Sequence, residues 1–413
     1  MVIIHGAYLF NVTKCTGLTY ENWTLQNLSG LRGFFSLCLP ALAGFYLRGQ
    51  VGPYLDIGKG KLPPKFIYLG FHFLFWAFLL EGLRVYLVTF KLSYFFFWEP
   101  LHFIALSMIV SYACLILEPR LMTLLPLLLF MGREFAFKFG RNFEIHSLSD
   151  TALQVMAVLW SLCLAVLFAT TLRIKIAAKY KKIVPPLFFG ICVIFAYRYI
   201  AGNTRTLLNF ANLPLDILVP RIEGDNWWSF VGFFPIFTAG YFLRAIFTGQ
   251  RSSLIASLVF SLSLFYSIYF WVFKLSKFRQ ALSNTTLYSK ELFMMDNGTL
   301  VGVISLFFMT IFLIYFLLNF FKMRFLEKLA YWSRNIIVLY LMHGFIFMLF
   351  VRFFPFKPMF RMIPDSTSFL SHEHFVPFLV YYMILHLVYF LSLYLSHRAT
   401  LWIDRSRLFS VVN

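Results

Sequence analysis

The sequence predicts an all-α fold: residues 1–413 form a single integral membrane domain, a polytopic transmembrane helical bundle of about eleven spans plus a partial first helix. Three observations predict it. Hydrophobic residues make up 60% of the chain and charged residues only 13%, against about 25% charged in an average soluble domain; so few charges cannot cover a water-facing surface. Apolar runs of the length that crosses about 30 Å of hydrocarbon, about 20 residues, recur from end to end. None of them shows the two-residue alternation of a barrel strand. The same apolar excess excludes a disordered chain.

Taken in order, the first apolar piece, Met1 to Phe10, is too short to span and reads as the outer half of a helix whose beginning is missing. It lacks the basic start and small-residue cleavage site of a signal peptide. Full spans follow at 31–48, 66–90, 98–118, 120–137, 151–172, 183–201, 227–248, 252–274, 299–321, 335–354 and 375–396. Only Pro119 divides the third of these from the fourth. The five cysteines, Cys15, Cys38, Cys114, Cys163 and Cys192, form neither a disulfide framework nor a metal site. There is no visible internal repeat and no Gly-rich phosphate loop.

A net charge of +19 in a soluble protein would point to nucleic acid; here it reports topology, and no nucleic-acid partner is implied. Counting the first piece as a helix, the loops and adjoining helix ends after even-numbered helices carry 19 basic and four acidic residues, and the opposite loops 14 and 12. The basic side, with Arg48, Lys59, Lys61, Arg173, Arg244, Arg334 and the tail residues Arg398, Arg405 and Arg407, is therefore cytoplasmic, and so is the C-terminus. The membrane is a bacterial inner membrane or a eukaryotic endomembrane. The Asn-x-Ser/Thr sequons at Asn11, Asn22, Asn27, Asn284 and Asn297 all fall on the other side, where a eukaryotic host would glycosylate them.

Ionisable residues inside spans are costly and mark function by default. They are His5, Arg32, His72, Glu81, Arg84, Glu99, His102, Arg198, His343 and His386. Glu81 and Arg84 stand three apart, on one helix face, as a self-neutralising pair or as a binding group in a polar cavity. Glu99 and His102 have the same spacing at the outer end of their helix, just after Trp98; a carboxylate there would raise the imidazole pKa and fix its tautomer, or the two form a plain interfacial pair. His72 and His386 read as structural. His372 and His374 have alternate spacing, which suits a metal only on a strand, so no metal is expected.

Three stretches together resemble a known family. Phe95-Phe-Phe-Trp98-Glu99-Pro-Leu-His102-Phe-Ile-Ala-Leu-Ser-Met, then Trp228-Ser-Phe-Val-Gly-Phe-Phe-Pro-Ile-Phe-Thr-Ala-Gly240, and Leu329-Ala-Tyr-Trp-Ser-Arg334-Asn335-Ile-Ile-Val-Leu-Tyr340-Leu-Met-His343 are similar to helices of the heparan-alpha-glucosaminide N-acetyltransferase-like membrane proteins. The last motif is shared with the related acyltransferase type 3 family, and Phe35 to Gly44 resembles the family's second helix. The family's Asp-x-x-Arg-Gly opening, which precedes the position of His5, has no counterpart in this chain.

The resemblance implies an acyl-CoA-dependent acyltransferase that carries an acyl group, usually acetyl, from the cytosol to a carbohydrate or glycolipid acceptor on the far side. His5, in Met1-Val-Ile-Ile-His5-Gly, stands where the family's bacterial members carry a catalytic histidine. On that reading His5 activates the acceptor or carries the acyl group, Glu99 and His102 orient the acceptor, and His343 supports the tunnel. The oxyanion donor is Arg32, or else Asn335 and Tyr340, and these three with Glu81, Arg84 and Trp228 make up the acceptor-binding set. Arg48, Lys59, Lys61 and Arg334 form the cationic mouth for the phosphates of acyl-CoA. Acyl-CoA is a co-substrate, and no metal is called for. Two readings stand beside this one. The first is a secondary transporter or flippase of a small polar solute or lipid-linked sugar. The second is a catalytically dead membrane partner. A homodimer is left open.

Overall fold

A computed structural model describes residues 23–57, 62–64, 66–89, 100–142, 229–248, 252–269, 297–320 and 390–399, with scattered positions between them. Every element among the described residues is a helix. In chain order they are α1 (Trp23–Ile57), α2 (Phe66–Thr89), α3 (Pro100–Leu117), α4 (Leu121–Asn142), α5 (Phe230–Thr248), α6 (Ser252–Tyr269) and α7 (Asn297–Phe320); residues 390–399 are helical as well. Two of these, over Phe230–Phe247 and Leu300–Leu318, are both long and apolar enough to cross a membrane; Phe66–Phe78, Leu101–Leu117 and Leu121–Arg133 are shorter apolar helices.

The helix limits follow local chemistry. Pro119 has no N–H and disfavours helical backbone at Glu118, so α3 stops at Leu117. A turn follows, in which the Leu121 and Met122 amides donate to the Glu118 and Pro119 carbonyls (3.0 and 3.1 Å). The start of α5 is capped by Ser229, whose buried Oγ accepts from the Gly232 amide at 3.1 Å. Pro235 removes one backbone donor inside α5, and the Thr238 hydroxyl donates back to the Phe234 and Pro235 carbonyls (3.1 and 3.0 Å). Several limits depart from the sequence reading: α1 begins at Trp23 rather than 31, α4 runs on to Asn142 rather than 137, and α1 also outlasts its apolar run. The apolar run ends at Arg48, yet α1 continues to Ile57, because Leu47 and Val51 keep a buried stripe through the polar Arg48-Gly49-Gln50 segment. Arg48 is thus a helix residue, not a loop residue.

Relative directions come from paired contacts. Along α2 and α3, Leu62 donates its amide to the Leu115 carbonyl (3.2 Å), Phe66 tilts against Tyr112 (5.7 Å), Gly70 faces Ile109 and Phe78 lies on His102 (4.2 Å). One number rises as the other falls, so the two helices are antiparallel. Along α1 and α5, Ala41 meets Gly240, Gly44 meets Phe237 and Tyr241, and Gly49 meets the Arg244 guanidinium. Among the described helices these two are the most extensively packed pair. Phe103 of α3 packs edge-on to Phe233 of α5 (5.9 Å), which puts the starts of those helices at one level. The Tyr266 hydroxyl near the end of α6 donates to the Gly298 carbonyl at the start of α7 (2.9 Å), as in an antiparallel hairpin.

The α1–α5 crossing is closed by glycine. A Cβ on Gly44 would run into the Phe237 carbonyl, and one on Gly240 into the Ala41 carbonyl. Each glycine thus admits the other helix's backbone, the small-residue contact that lets helices approach where no water drives them together. Around this centre lie Phe233, Phe234, Phe237, Leu47, Leu101 and Phe103, all fully buried.

The outer helices are turned inside out. On α4, Leu124, Leu127, Leu128, Met131 and Phe135 are exposed while Arg133, at 0% exposure, is the largest fully buried side chain. On α6, Leu258, Leu262, Phe265 and Ile268 face outward and Ser263 and Ser267 inward. Near the C-terminus Phe390, Leu391, Tyr394 and Leu395 are exposed, and Ser392, Ser396 and His397 are buried. Contiguous exposed apolar surface on this scale is foreign to a soluble monomer.

Candidate functional site

A group of polar side chains gathers in the C-terminal halves of α1, α3 and α5. The packing of α1 on α5 brings Arg48 and Arg244 together. The Arg48 guanidinium lies over the Tyr241 ring at 5.6 Å, and the Arg244 guanidinium over the Phe45 ring at 5.0 Å. Each helix therefore offers one cation and one aromatic face to the other, a reciprocal cation–π clasp. Gly49 makes room for it, since a Cβ there would strike the Arg244 guanidinium. Both arginines are half-buried, and each lies in the other's electrostatic field. Two like charges held together in partly desolvated surroundings favour an anion between or beside them.

Tyr46 anchors the inner side of the clasp. Its hydroxyl accepts from Gln50 Nε2 at 3.0 Å, one helical turn away. It also lies within electrostatic reach of Arg244 and of Tyr112 on α3. Tyr112 is fully buried. The cluster therefore joins three helices: Tyr46, Arg48 and Gln50 from α1, Tyr112 from α3, and Tyr241 and Arg244 from α5.

Of the residues singled out by the sequence, Arg48 falls in this cluster. His102 does not. It is fully buried near the start of α3, against Phe78 of α2, ten residues before Tyr112 and so about 15 Å away along the axis at about 1.5 Å per residue. Glu81 and Arg84 both lie on α2 beyond Phe78, toward the His102 end and away from the arginines, and Arg32 lies in the first part of α1; the side chains of these three are outside the description. His5, Lys59, Lys61, Glu99, Trp228, Arg334, Asn335, Tyr340 and His343 lie outside the described residues. His72, read as structural, is buried and accepts a hydrogen bond from Trp76 Nε1 at 3.2 Å, which assigns its own ring proton to Nδ1. Among the described residues no group of three His, Cys, Asp or Glu is placed to hold a metal ion.

Sequence reasoning missed the other five members of the cluster, Tyr46, Gln50, Tyr112, Tyr241 and Arg244. Arg244 counts there only toward the charge parity, and nothing in one sequence pairs it with Arg48. Tyr112 and Gln50 are unremarkable in sequence and acquire interest only from their burial. Arg133 is also absent from the intramembrane ionisable residues that the sequence singles out. Its signal was available: Leu129, Arg133 and Ala136 share one face of α4, and the first and last of these pack against Val231 of α5.

Compared with protein-family models, curated proteins and solved structures, the chain matches none.

Proposed function

We propose that this chain is a multi-pass membrane acyltransferase that moves an acyl group, acetyl foremost, from cytosolic acyl-CoA to a carbohydrate or glycolipid acceptor on the opposite side. The observation that carries the reading is the Arg48–Arg244 clasp. Both residues belong to the basic set that the charge bias assigns to the cytoplasmic side, and the packing of α1 on α5 brings them together. A phosphate-bearing donor arriving from the cytosol meets two guanidiniums there, each over an aromatic ring and each able to offer paired N–H donors to phosphate oxygens. The resemblance of the Trp98, Trp228 and Arg334 motifs to membrane acetyltransferases supplies the chemistry.

A membrane setting is supported by the outward-facing Leu, Met and Phe of α4 and α6 and by the two helices of spanning length. The helix directions fit serial crossings: neighbours α2 and α3 are antiparallel, and the end of α6 meets the start of α7.

On this reading the thioester enters from the arginine end and the acceptor from the end nearer His102. His5 takes the proton from the acceptor hydroxyl or amine as its lone pair attacks the thioester carbonyl. The tetrahedral oxyanion is met by Arg32, or by Asn335 and Tyr340. The C–S bond breaks, and the CoA thiolate leaves with the proton returned by the imidazolium. The test is release of CoA from radiolabelled acetyl-CoA by the purified chain, beside Arg48→Gln, Arg244→Gln and His5→Ala. Release that falls in all three supports the reading. Absence of both release and label transfer, with folded protein and several acyl-CoAs and acceptors, rejects it and favours transport, which would instead follow an ion gradient.

A further inference from the structure

Two buried polar atoms beside the clasp remain unexplained by it. The Tyr112 hydroxyl is buried with no hydrogen-bond partner among the described residues, and so is the Gln50 carbonyl oxygen Oε1. They lie in one neighbourhood: Gln50 donates to Tyr46 through Nε2, and Phe66 packs on both Tyr112 and Tyr54, the latter one turn after Gln50 on α1. A buried polar atom without a partner is costly, and such atoms in a native fold call for a ligand or an ordered water. The two demands are complementary, because the phenol can donate and the Gln oxygen can only accept. A group that fits both presents a carbonyl and an N–H together, as an amide does. Depth agrees with this: the arginines are half-buried, whereas Tyr112 is fully enclosed, five residues or about 7.5 Å inside the end of α3.

We propose that Tyr112 and Gln50 hold an amide group of the arm that links the phosphates of an acyl carrier to its thioester, with those phosphates on Arg48 and Arg244. The arm's carbonyl accepts from the Tyr112 hydroxyl and its N–H donates to Gln50 Oε1. The proposal rests on the acyl-CoA reading and adds to it a recognition element for the carrier's arm. Both are positioning residues; neither touches the thioester.

The experiment compares two probes on the full chain in detergent: CoA, and adenosine 3′,5′-bisphosphate, which carries phosphates but no arm. Tyr112→Phe keeps the ring against Phe66 and removes only the hydroxyl, so its unfolding midpoint stays at the wild-type value or above. CoA binding to this variant weakens about fivefold, the worth of about one net hydrogen bond, while the bisphosphate binds as to wild type. Arg48→Gln weakens both probes. Equal CoA affinity in Tyr112→Phe and wild type overturns the inference, as does equal affinity of the wild type for the two probes. Wild-type protein that binds neither probe overturns the acyl-CoA reading itself, and the inference with it.

Discussion

Replacing either glycine of the α1–α5 crossing with alanine should push the two helices apart. A Cβ on Gly44 would lie 2.8 Å from the Phe237 carbonyl carbon and 3.1 Å from the Tyr241 nitrogen, and one on Gly240 would lie 2.8 Å from Ala41 Cα. Comfortable carbon–carbon contact is about 3.5–4.0 Å, so the backbones must separate by at least about 0.7 Å, and gaps of about 0.5–1 Å forfeit a quarter to a half of each dispersion contact across the interface. The obstructing atoms are backbone and cannot swing aside. Overpacking of this kind costs about 1–3 kcal/mol, partly offset by the better helix propensity of alanine, up to about 1 kcal/mol. Gly44→Ala and Gly240→Ala should each lower the unfolding midpoint of the purified protein in detergent. The double variant should lose less than the sum, because the opening forced by one glycine relieves the other. Gly132→Ala is the control: its Cβ would meet nothing within 4 Å, and it should be neutral or stabilising. Gly44→Ala and Gly240→Ala variants as stable as Gly132→Ala would refute the close crossing; full additivity would show that the two glycines do not report on one contact.

Other substitutions separate the remaining elements. Gly49→Ala displaces the tip of Arg244 rather than any backbone, so CoA binding should weaken severalfold with no fall in the unfolding midpoint; unchanged binding would remove Arg244 from the site. His72→Phe deprives the Trp76 indole of its acceptor, which should cost about 1–3 kcal/mol and shift tryptophan emission, whereas an unaltered midpoint would show that this bond carries no weight. Arg133→Ala empties the largest fully buried side chain and should destabilise well beyond Arg120→Ala. Arg120 is 89% exposed and reaches Glu118 only at 4.0 Å, a surface pair worth about 0–1 kcal/mol; equal midpoints for the two variants would contradict the burial.

Hydropathy and proline punctuation made much of the described fold legible. The starts of α2, α3, α4 and α6 fall within two residues of the expected spans, and the turn at Pro119 divides α3 from α4. The extension of α1 past Arg48 was not legible, because hydropathy marks where lipid could be, while helix length follows backbone hydrogen bonding and a stripe as sparse as Leu47 and Val51. At the site, Arg48 was recognisable as a basic residue at a helix end. Its partner Arg244 lies 196 positions later, and only the meeting of Gly44 and Gly240 with the opposite backbones brings the two together. Those glycines each close a motif of the sequence, but nothing in the motifs says that they face one another. Tyr112 and Gln50 carry no charge and fit no motif; what distinguishes them is the missing partner, a property of packing alone.

Sidedness tests the account most directly. The protein is reconstituted into sealed vesicles, its orientation is scored by protease access to the C-terminal tail, and labelled acetyl-CoA is supplied on one face only with acceptor on the other. The account predicts transfer of label only when acetyl-CoA is on the face of the tail, where Arg48 and Arg244 lie, and loss of that transfer in Arg48→Gln and Arg244→Gln. Transfer that starts from the opposite face, or that persists unchanged in both arginine variants, would contradict it.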